Sequence, residues 1–152
     1  MNRDTQGYFT MVLHAHLPFV REPDHERFLE ENWLYEALTG TYLPLLMGFE
    51  TLIRDRVDFR VTMNLTPTLV SMLDDEMLRD RYEKSLRSMV ELSEKEMRRQ
   101  HHAAEFYELA RFYRDRFSGI LGNRHIIRSQ DANHAFHCER LGCVDVGHSR
   151  VR

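Results

Sequence analysis

Two short apolar runs and several longer amphipathic segments divide most of the chain. The run YFTMVLH, at 8–14, is closed by Pro18 and has the length of a buried strand. Over 28–56, apolar residues recur at intervals of three and four, which predicts a helix with one buried stripe. Gly40 and Pro44 lie inside this stripe and predict a kink or a break. The stripe consists of Leu34, Leu38, Tyr42, Leu45, Phe49 and Leu52.

A second predicted strand, DFRVTMNL at 58–65, leads into a helix start. The Thr66 hydroxyl can cap that helix, and Pro67 occupies its first position, where the missing N–H is not needed. The charged segment 77–121 is predicted to be helical, with RRQHH at 98–102 in solvent. The order of strand, helix, strand and helices indicates an α/β fold with parallel strands. Within 77–121 a second buried stripe is predicted at Phe106, Leu109, Tyr113, Phe117 and Leu121.

The segment 123–152 departs from this pattern. It contains no lysine, both cysteines and four of the nine histidines, and apolar periodicity ends after Ile127. A burst of Arg, His, Ser and Cys is typical of an out-of-frame translation of a GC-rich gene. We therefore expect a divergent tail over 123–152, frameshifted or disordered. No standard zinc-ligand spacing is matched by its possible ligands, which are His134, His137, Cys138, Cys143 and His148.

Composition places the chain among soluble globular proteins. It has 152 residues, of which 42% are hydrophobic and 30% charged, enough for one domain with a core. A net charge of −3 gives no electrostatic argument for nucleic acid or an anionic membrane as a partner. Neither a signal peptide nor a run long enough to cross a bilayer is evident, and two cysteines are too few for a disulfide framework. These features predict a cytoplasmic protein.

The hexapeptide LHAHLP, at 13–18, contains the candidate ligand-binding residues. Alternate residues of a strand point to the same side, so His14 and His16 are predicted to stand together at a carboxyl end, where α/β folds bind ligands. Three interpretations compete: a metal pair as in amidohydrolase-type barrels, a sugar site in which imidazoles bond to hydroxyls, and a structural pair bonded to backbone carbonyls. The metal interpretation needs further ligands on later strands, and no convincing partner ends the run at 58–65.

Four spaced blocks provide a further clue: HxHLP, EENWLYEAL, TYLPLL, and a second strand that runs into TPTL. In this order they resemble the N-terminus of glycoside hydrolase family 57, over about 7–118. Within the family, the 1,4-α-glucan branching enzymes and related α-amylase-like members are the most similar. The resemblance implies an incomplete (β/α)7 barrel with inserted helices that acts on α-glucans by a retaining mechanism.

The same resemblance assigns candidate site residues. His14 and His16 correspond to the first family motif and would line the glucose subsite beside the scissile bond. Trp33 matches the tryptophan of EENWLYEAL; it either reaches the site or packs in the core, and its indole suits sugar stacking. The expected partner is an α-glucan such as glycogen, amylose or a maltooligosaccharide, with no metal and no cofactor.

The catalytic pair is missing from this pattern. A retaining glycosidase needs two carboxyls about 5–5.5 Å apart, and in the family both follow later strands. No residue here matches either motif, and Asp74-Asp75-Glu76 and Glu30-Glu31 suit solvated or capping roles. We therefore expect 1–122 to be the N-terminal fragment of the catalytic barrel, without activity of its own. Two alternatives stay open: a metal-dependent amidohydrolase-like fragment using His14 and His16, and a non-enzymic helical protein that binds a partner through 77–121.

Overall fold

The computed structural model describes residues 7, 10–25 and 28–123, and in them two parallel strands lie among helices. This is the α/β class that the sequence predicts, with mostly helices and a small parallel sheet. In chain order the elements are β1 (Val12–Ala15), α1 (Glu31–Ala37), a π-helical turn (Leu38–Tyr42), α2 (Leu43–Arg54), β2 (Thr62–Leu65), α3 (Pro67–Asp74), α4 (Glu76–Arg99) and α5 (Ala104–Gly122).

The sheet pairs β1 with β2 in parallel, so that Val12 lies opposite Thr62 and Ala15 opposite Leu65. The Thr66 N–H continues the ladder by donating to the Ala15 carbonyl at 3.2 Å. Both strands are shorter than the apolar runs that predict them, because only four residues of each are in register. Part of the first run, at 8–9, lies outside the described residues.

The helix start after β2 is confirmed. The Thr66 hydroxyl caps α3 by accepting from the Leu69 N–H at 3.4 Å, and Pro67 is the first helical residue. α3 then packs against one face of the sheet. Its buried side chains belong to the main core, which consists of Ala15, Val20, Leu34, Met63, Leu65, Leu69, Met72 and Leu78.

The irregularity expected at Gly40 and Pro44 is a π-helical turn, which interrupts the regular α-helix between α1 and α2. The Leu43 N–H donates to the Leu38 carbonyl, five residues back. Pro44 has no N–H to offer the Gly40 carbonyl. Arg116 of α5 supplies donors from outside, at 3.0 Å from the Thr39 oxygen and 3.4 Å from the Gly40 oxygen. The predicted interruption of the regular α-helix is therefore a widened turn whose carbonyls accept from a side-chain donor.

The segment 77–121, predicted to be helical, forms two helices, α4 and α5, separated by a turn at 100–103. The prediction that RRQHH is solvated is confirmed for its arginines and histidines, which are exposed. A second, smaller core joins α5 to α4 and α2 through Leu43, Tyr82, Leu86 and Ile120. No helix in the described part of the chain is long and apolar enough to cross a membrane.

The predicted burial of the α5 stripe is wrong for three of its five members. Phe106, Leu109 and Tyr113 are 61, 52 and 44% exposed, whereas Phe117 and Leu121 are partly buried against the second core. Periodicity identifies the apolar face of a helix, but burial needs a neighbouring element. Within the described residues, nothing covers these three side chains, although α4 packs against another face of α5.

Candidate functional site

The two histidines stand on one side of β1, as the sequence predicts. His14 lies within the strand and His16 just beyond its last residue, and both side chains are exposed. Ala15, between them, points to the opposite side and is buried in the core. Both imidazoles are therefore held by a fixed backbone while their ring nitrogens remain open to a ligand.

A third polar group flanks the pair. Asn64 of β2 lies opposite His14 in the register and is also exposed. Residues in register on neighbouring strands point to the same face of a sheet, so the amide and the imidazole are neighbours. Together these side chains offer hydrogen-bond donors and acceptors at the carboxyl end of the sheet, the edge at which α/β folds bind ligands.

Trp33 lies on another element, helix α1. It is 52% exposed, although Glu31 and Leu34 of the same helix are almost completely buried. The indole therefore stands on the outer face of α1, with a large part of its surface available for stacking. The sequence left open whether Trp33 packs in the core, and its exposure shows that it does not.

Glu31 differs from the solvated or capping role that the sequence suggested, because it is 2% exposed. Its Oε2 accepts from the Tyr35 hydroxyl at 2.8 Å, and its Oε1 forms an ion pair with the Arg81 guanidinium. A buried carboxylate needs such partners to remain charged. Burial, reinforced by the hydrogen bond to Glu31, raises the pKa of Tyr35 above its ordinary value.

Asp74, Asp75 and Glu76 have the structural roles that were expected of them. Asp75 caps α4 by accepting from the Leu78 N–H at 2.9 Å, and it also pairs with Arg21. Asp74 and Glu76 are exposed beside it. Among the residues that the structure describes, no group of three or more His, Cys, Asp or Glu side chains is arranged to hold a metal ion. The possible zinc ligands at 134–148 lie outside that part of the chain.

The chain belongs to a family of carbohydrate-active enzymes. That family is glycosyl hydrolase family 57, whose sequence profile matches residues 10–127. A 1,4-alpha-glucan branching enzyme of Thermococcus kodakarensis is 39% identical over 93 residues, which make up 61% of this chain and 14% of that enzyme. The resemblance noted in the four sequence blocks is thereby confirmed.

Solved structures agree with this assignment. An alpha-amylase from Thermotoga maritima superposes with a TM-score of 0.74 at 40% identity, over 84% of this chain and 24% of that one. A branching enzyme from Pyrococcus horikoshii has a TM-score of 0.81 at 29% identity, over 93% and 26%. The branching enzyme from Thermococcus, solved in complex with glucose, has a TM-score of 0.76 at 28% identity, over 93% and 25%. The chain thus spans between a seventh and about a quarter of the length of these relatives.

Sequence patterns did not identify Asn64, Arg81 or the buried role of Glu31. Asn64 becomes a neighbour of His14 only through strand pairing. Glu31 and Arg81 are far apart in the chain and carry charges that usually lie at the surface. Of these three residues, only Glu31 had a sequence feature that could have revealed its burial. It lies three residues before the buried Leu34, on the same helix face.

Proposed function

We propose that this chain forms the N-terminal part of an α-glucan site of the branching-enzyme type, in which His14, His16 and Trp33 contact the sugar. The observation that carries the proposal is the pair of exposed imidazoles at the carboxyl end of β1, in a chain of glycosyl hydrolase family 57. A relative that carries a branching-enzyme name, and a relative solved with glucose, support the choice of substrate.

The proposed chemistry follows from the side chains. Each imidazole can donate one hydrogen bond and accept another, which suits sugar hydroxyls, and the exposed indole of Trp33 offers a flat apolar surface to a ring. In a branching reaction a glucan hydroxyl replaces water as the acceptor and an α-1,6 linkage results. We place this activity in glycogen-type polysaccharide metabolism in the cytoplasm.

The proposal divides the chain into two parts. Residues 1–122 form the N-terminal portion of an incomplete (β/α)7 barrel with inserted helices, and 123–152 form a divergent tail. The end of the family match at 127 supports this division. Because no residue matches the two carboxyls that a retaining mechanism requires, the 152-residue chain alone is expected to bind glucan without cleaving or transferring it.

Calorimetric titration with maltoheptaose tests this function. The wild-type chain is expected to bind the ligand and to leave it intact after prolonged incubation. His14→Ala and His16→Ala should each weaken binding by about tenfold, the usual effect of removing one or two good hydrogen bonds. His101→Ala, at an exposed histidine in the turn before α5, serves as the matched control and should bind as the wild type does.

A parallel titration with zinc addresses the metal interpretation. Stoichiometric zinc binding that is lost in both His14→Ala and His16→Ala, together with no response to maltoheptaose, would favour the amidohydrolase-like alternative. Release of shorter or branched glucans by the isolated chain would contradict the proposed absence of catalysis.

A further inference from the structure

Over 17–25, the loop that follows His16 is anchored to α3 and α4. The Thr68 hydroxyl donates to the Leu17 carbonyl at 3.3 Å, and the Val20 N–H lies 3.3 Å from the Met72 sulfur. Val20 itself is buried in the main core. This part of the loop therefore has the same rigid support as the sheet.

Farther along the loop, a single side chain of α4 provides the support. Arg81 donates from Nη1 to the Glu22 carbonyl at 2.9 Å and from Nη2 to the His25 carbonyl at 2.7 Å. Nη1 also contacts the buried carboxylate of Glu31. A guanidinium is planar and has five donors, so it can bond to three acceptors at fixed angles. Arg81 thus joins the loop, α1 and α4 at one point.

These contacts connect the two elements that carry the proposed sugar contacts. Glu22 and His25 belong to the loop after His16, and Glu31 lies two residues before Trp33 on α1. We propose that Arg81 is a positioning residue of the glucan site, which sets the placement of the histidine loop relative to the helix of Trp33. This inference rests on the proposed function. Arg81 itself is not expected to contact the sugar.

A simpler role for Arg81 would be to neutralise Glu31. Removing Arg81 alone cannot separate the two roles, because it leaves a buried charge without its ion-pair partner and destabilises the fold. The double variant Glu31→Gln with Arg81→Met removes both charges. The introduced glutamine amide can still accept from Tyr35, and the introduced methionine can fill the apolar volume of the arginine stem. The carbonyls of Glu22 and His25, however, lose their donor.

Amide hydrogen exchange without ligand tests the structural half of the inference. In the double variant, the amides of Val20 and Asp24, which donate to the Met72 sulfur and the Glu22 carboxylate, should exchange about tenfold faster, since the loop opens locally. The amides of α5 should exchange at the wild-type rate. The control is Glu83→Gln with Arg87→Met, which removes an ion pair of 2.6 Å within α4 from a similarly buried carboxylate. It should leave the loop unchanged. Unchanged loop exchange in the Arg81 double variant would overturn the inference.

Binding of maltoheptaose tests the functional half. Trp33 is the only tryptophan, so its fluorescence reports the site directly. The Arg81 double variant should keep a wild-type melting temperature but bind about tenfold more weakly, because small displacements of contact groups are costly. Wild-type affinity in that variant would show that Arg81 only neutralises Glu31. If the wild-type chain itself did not bind, the proposed function would fail, and exchange would still decide whether Arg81 holds the loop.

Arg81→Lys is a second test of the inference, which can be used if the double variant does not fold. The lysine keeps a positive charge opposite Glu31, but its ammonium lacks the planar fork. Faster loop exchange and weaker binding are expected here too, whereas a neutralising role alone predicts wild-type behaviour.

Discussion

His14 of β1 lies directly opposite Asn64 of β2 in the parallel register, and both side chains are exposed on the same face of the sheet. With His16 they form a row of polar groups beside a buried core of Ala15, Met63 and Leu65. The buried face of the sheet thus packs on the core, and the opposite, exposed face presents the hydrogen-bonding groups. This is the arrangement expected of a surface that orients a polar ligand such as a sugar.

The N-cap of α4 provides a prediction on pH. Burial alone would raise the pKa of Asp75, but hydrogen bonds from the Leu78 N–H and Arg21 outweigh burial and lower it below its ordinary 3.8. The charged form is therefore favoured by folding, and its stabilisation is present above pH 3.8 and lost as the pH falls through the lower folded-state pKa. Asp75→Ala should reduce the free energy of unfolding by about 1 kcal/mol at pH 7.

Urea unfolding at pH 7 and at pH 3 and below measures this effect. The difference between wild type and Asp75→Ala should shrink in acid. Asp74→Ala, at the exposed neighbouring carboxylate, should change stability little at either pH. A difference for Asp75→Ala that is the same at all pH values would argue against a charged cap.

Tyr82 provides a prediction on how the stability of the fold changes at alkaline pH. Burial raises its pKa from 10.0 to about 12, against smaller opposing effects of the Thr39 hydrogen bond and Arg116. The neutral phenol is favoured by folding, so its contribution is complete below pH 10 and is lost as the pH rises through about 12. Tyr82→Phe keeps the ring contact with Tyr35 but loses the 2.9 Å bond to Thr39, which should cost about 1 kcal/mol at neutral pH.

The free energies of unfolding of the wild type and Tyr82→Phe, measured at pH 8 and pH 11, test the direction of this pH dependence. The advantage of the wild type over Tyr82→Phe should be smaller at the higher pH. Tyr113→Phe is the control, because Tyr113 lies on the exposed face of α5. An advantage that grows with pH would contradict the assigned burial.

The end of α2 predicts a stabilising substitution. Arg56 has a φ of 57°, a left-handed conformation, and the Val57 N–H donates back to the Leu52 carbonyl at 3.0 Å. Glycine adopts this conformation without steric cost and is preferred at this position after a helix. Arg56→Gly should therefore raise the free energy of unfolding by about 1 kcal/mol. Thermal unfolding measures this change. Arg54→Gly, at the last residue of α2, is the control and should lower the free energy of unfolding, because glycine disfavours a helix.

Local chemistry explains what the sequence predicted correctly. Thr66 and Pro67 mark a helix start because a hydroxyl and a missing N–H satisfy the first turn wherever it lies in a fold. His14 and His16 share a side because alternation is a property of any strand. Such features need no knowledge of the neighbouring elements.

The features that the sequence did not reveal all depend on contacts with other elements of the fold. The π-helical turn keeps its carbonyls bonded through Arg116, which is distant in the sequence from Gly40. Exposure of Phe106 reflects the lack of a covering element in the described chain. The buried Glu31–Arg81 pair follows from the packing of α1 against α4. Periodicity and capping signals carry no information on these long-range contacts.

Titration of the isotope-labelled chain with maltoheptaose, followed by nuclear magnetic resonance, is the most direct test of the proposed sugar site. We expect the ring signals of His14 and His16, the side-chain amide of Asn64 and the indole of Trp33 to shift together and to saturate at one ligand concentration. The rings of His101 and His102 should stay unchanged. If the signals of His14 and His16 stayed unchanged at saturating ligand, the two histidines would not form the sugar site.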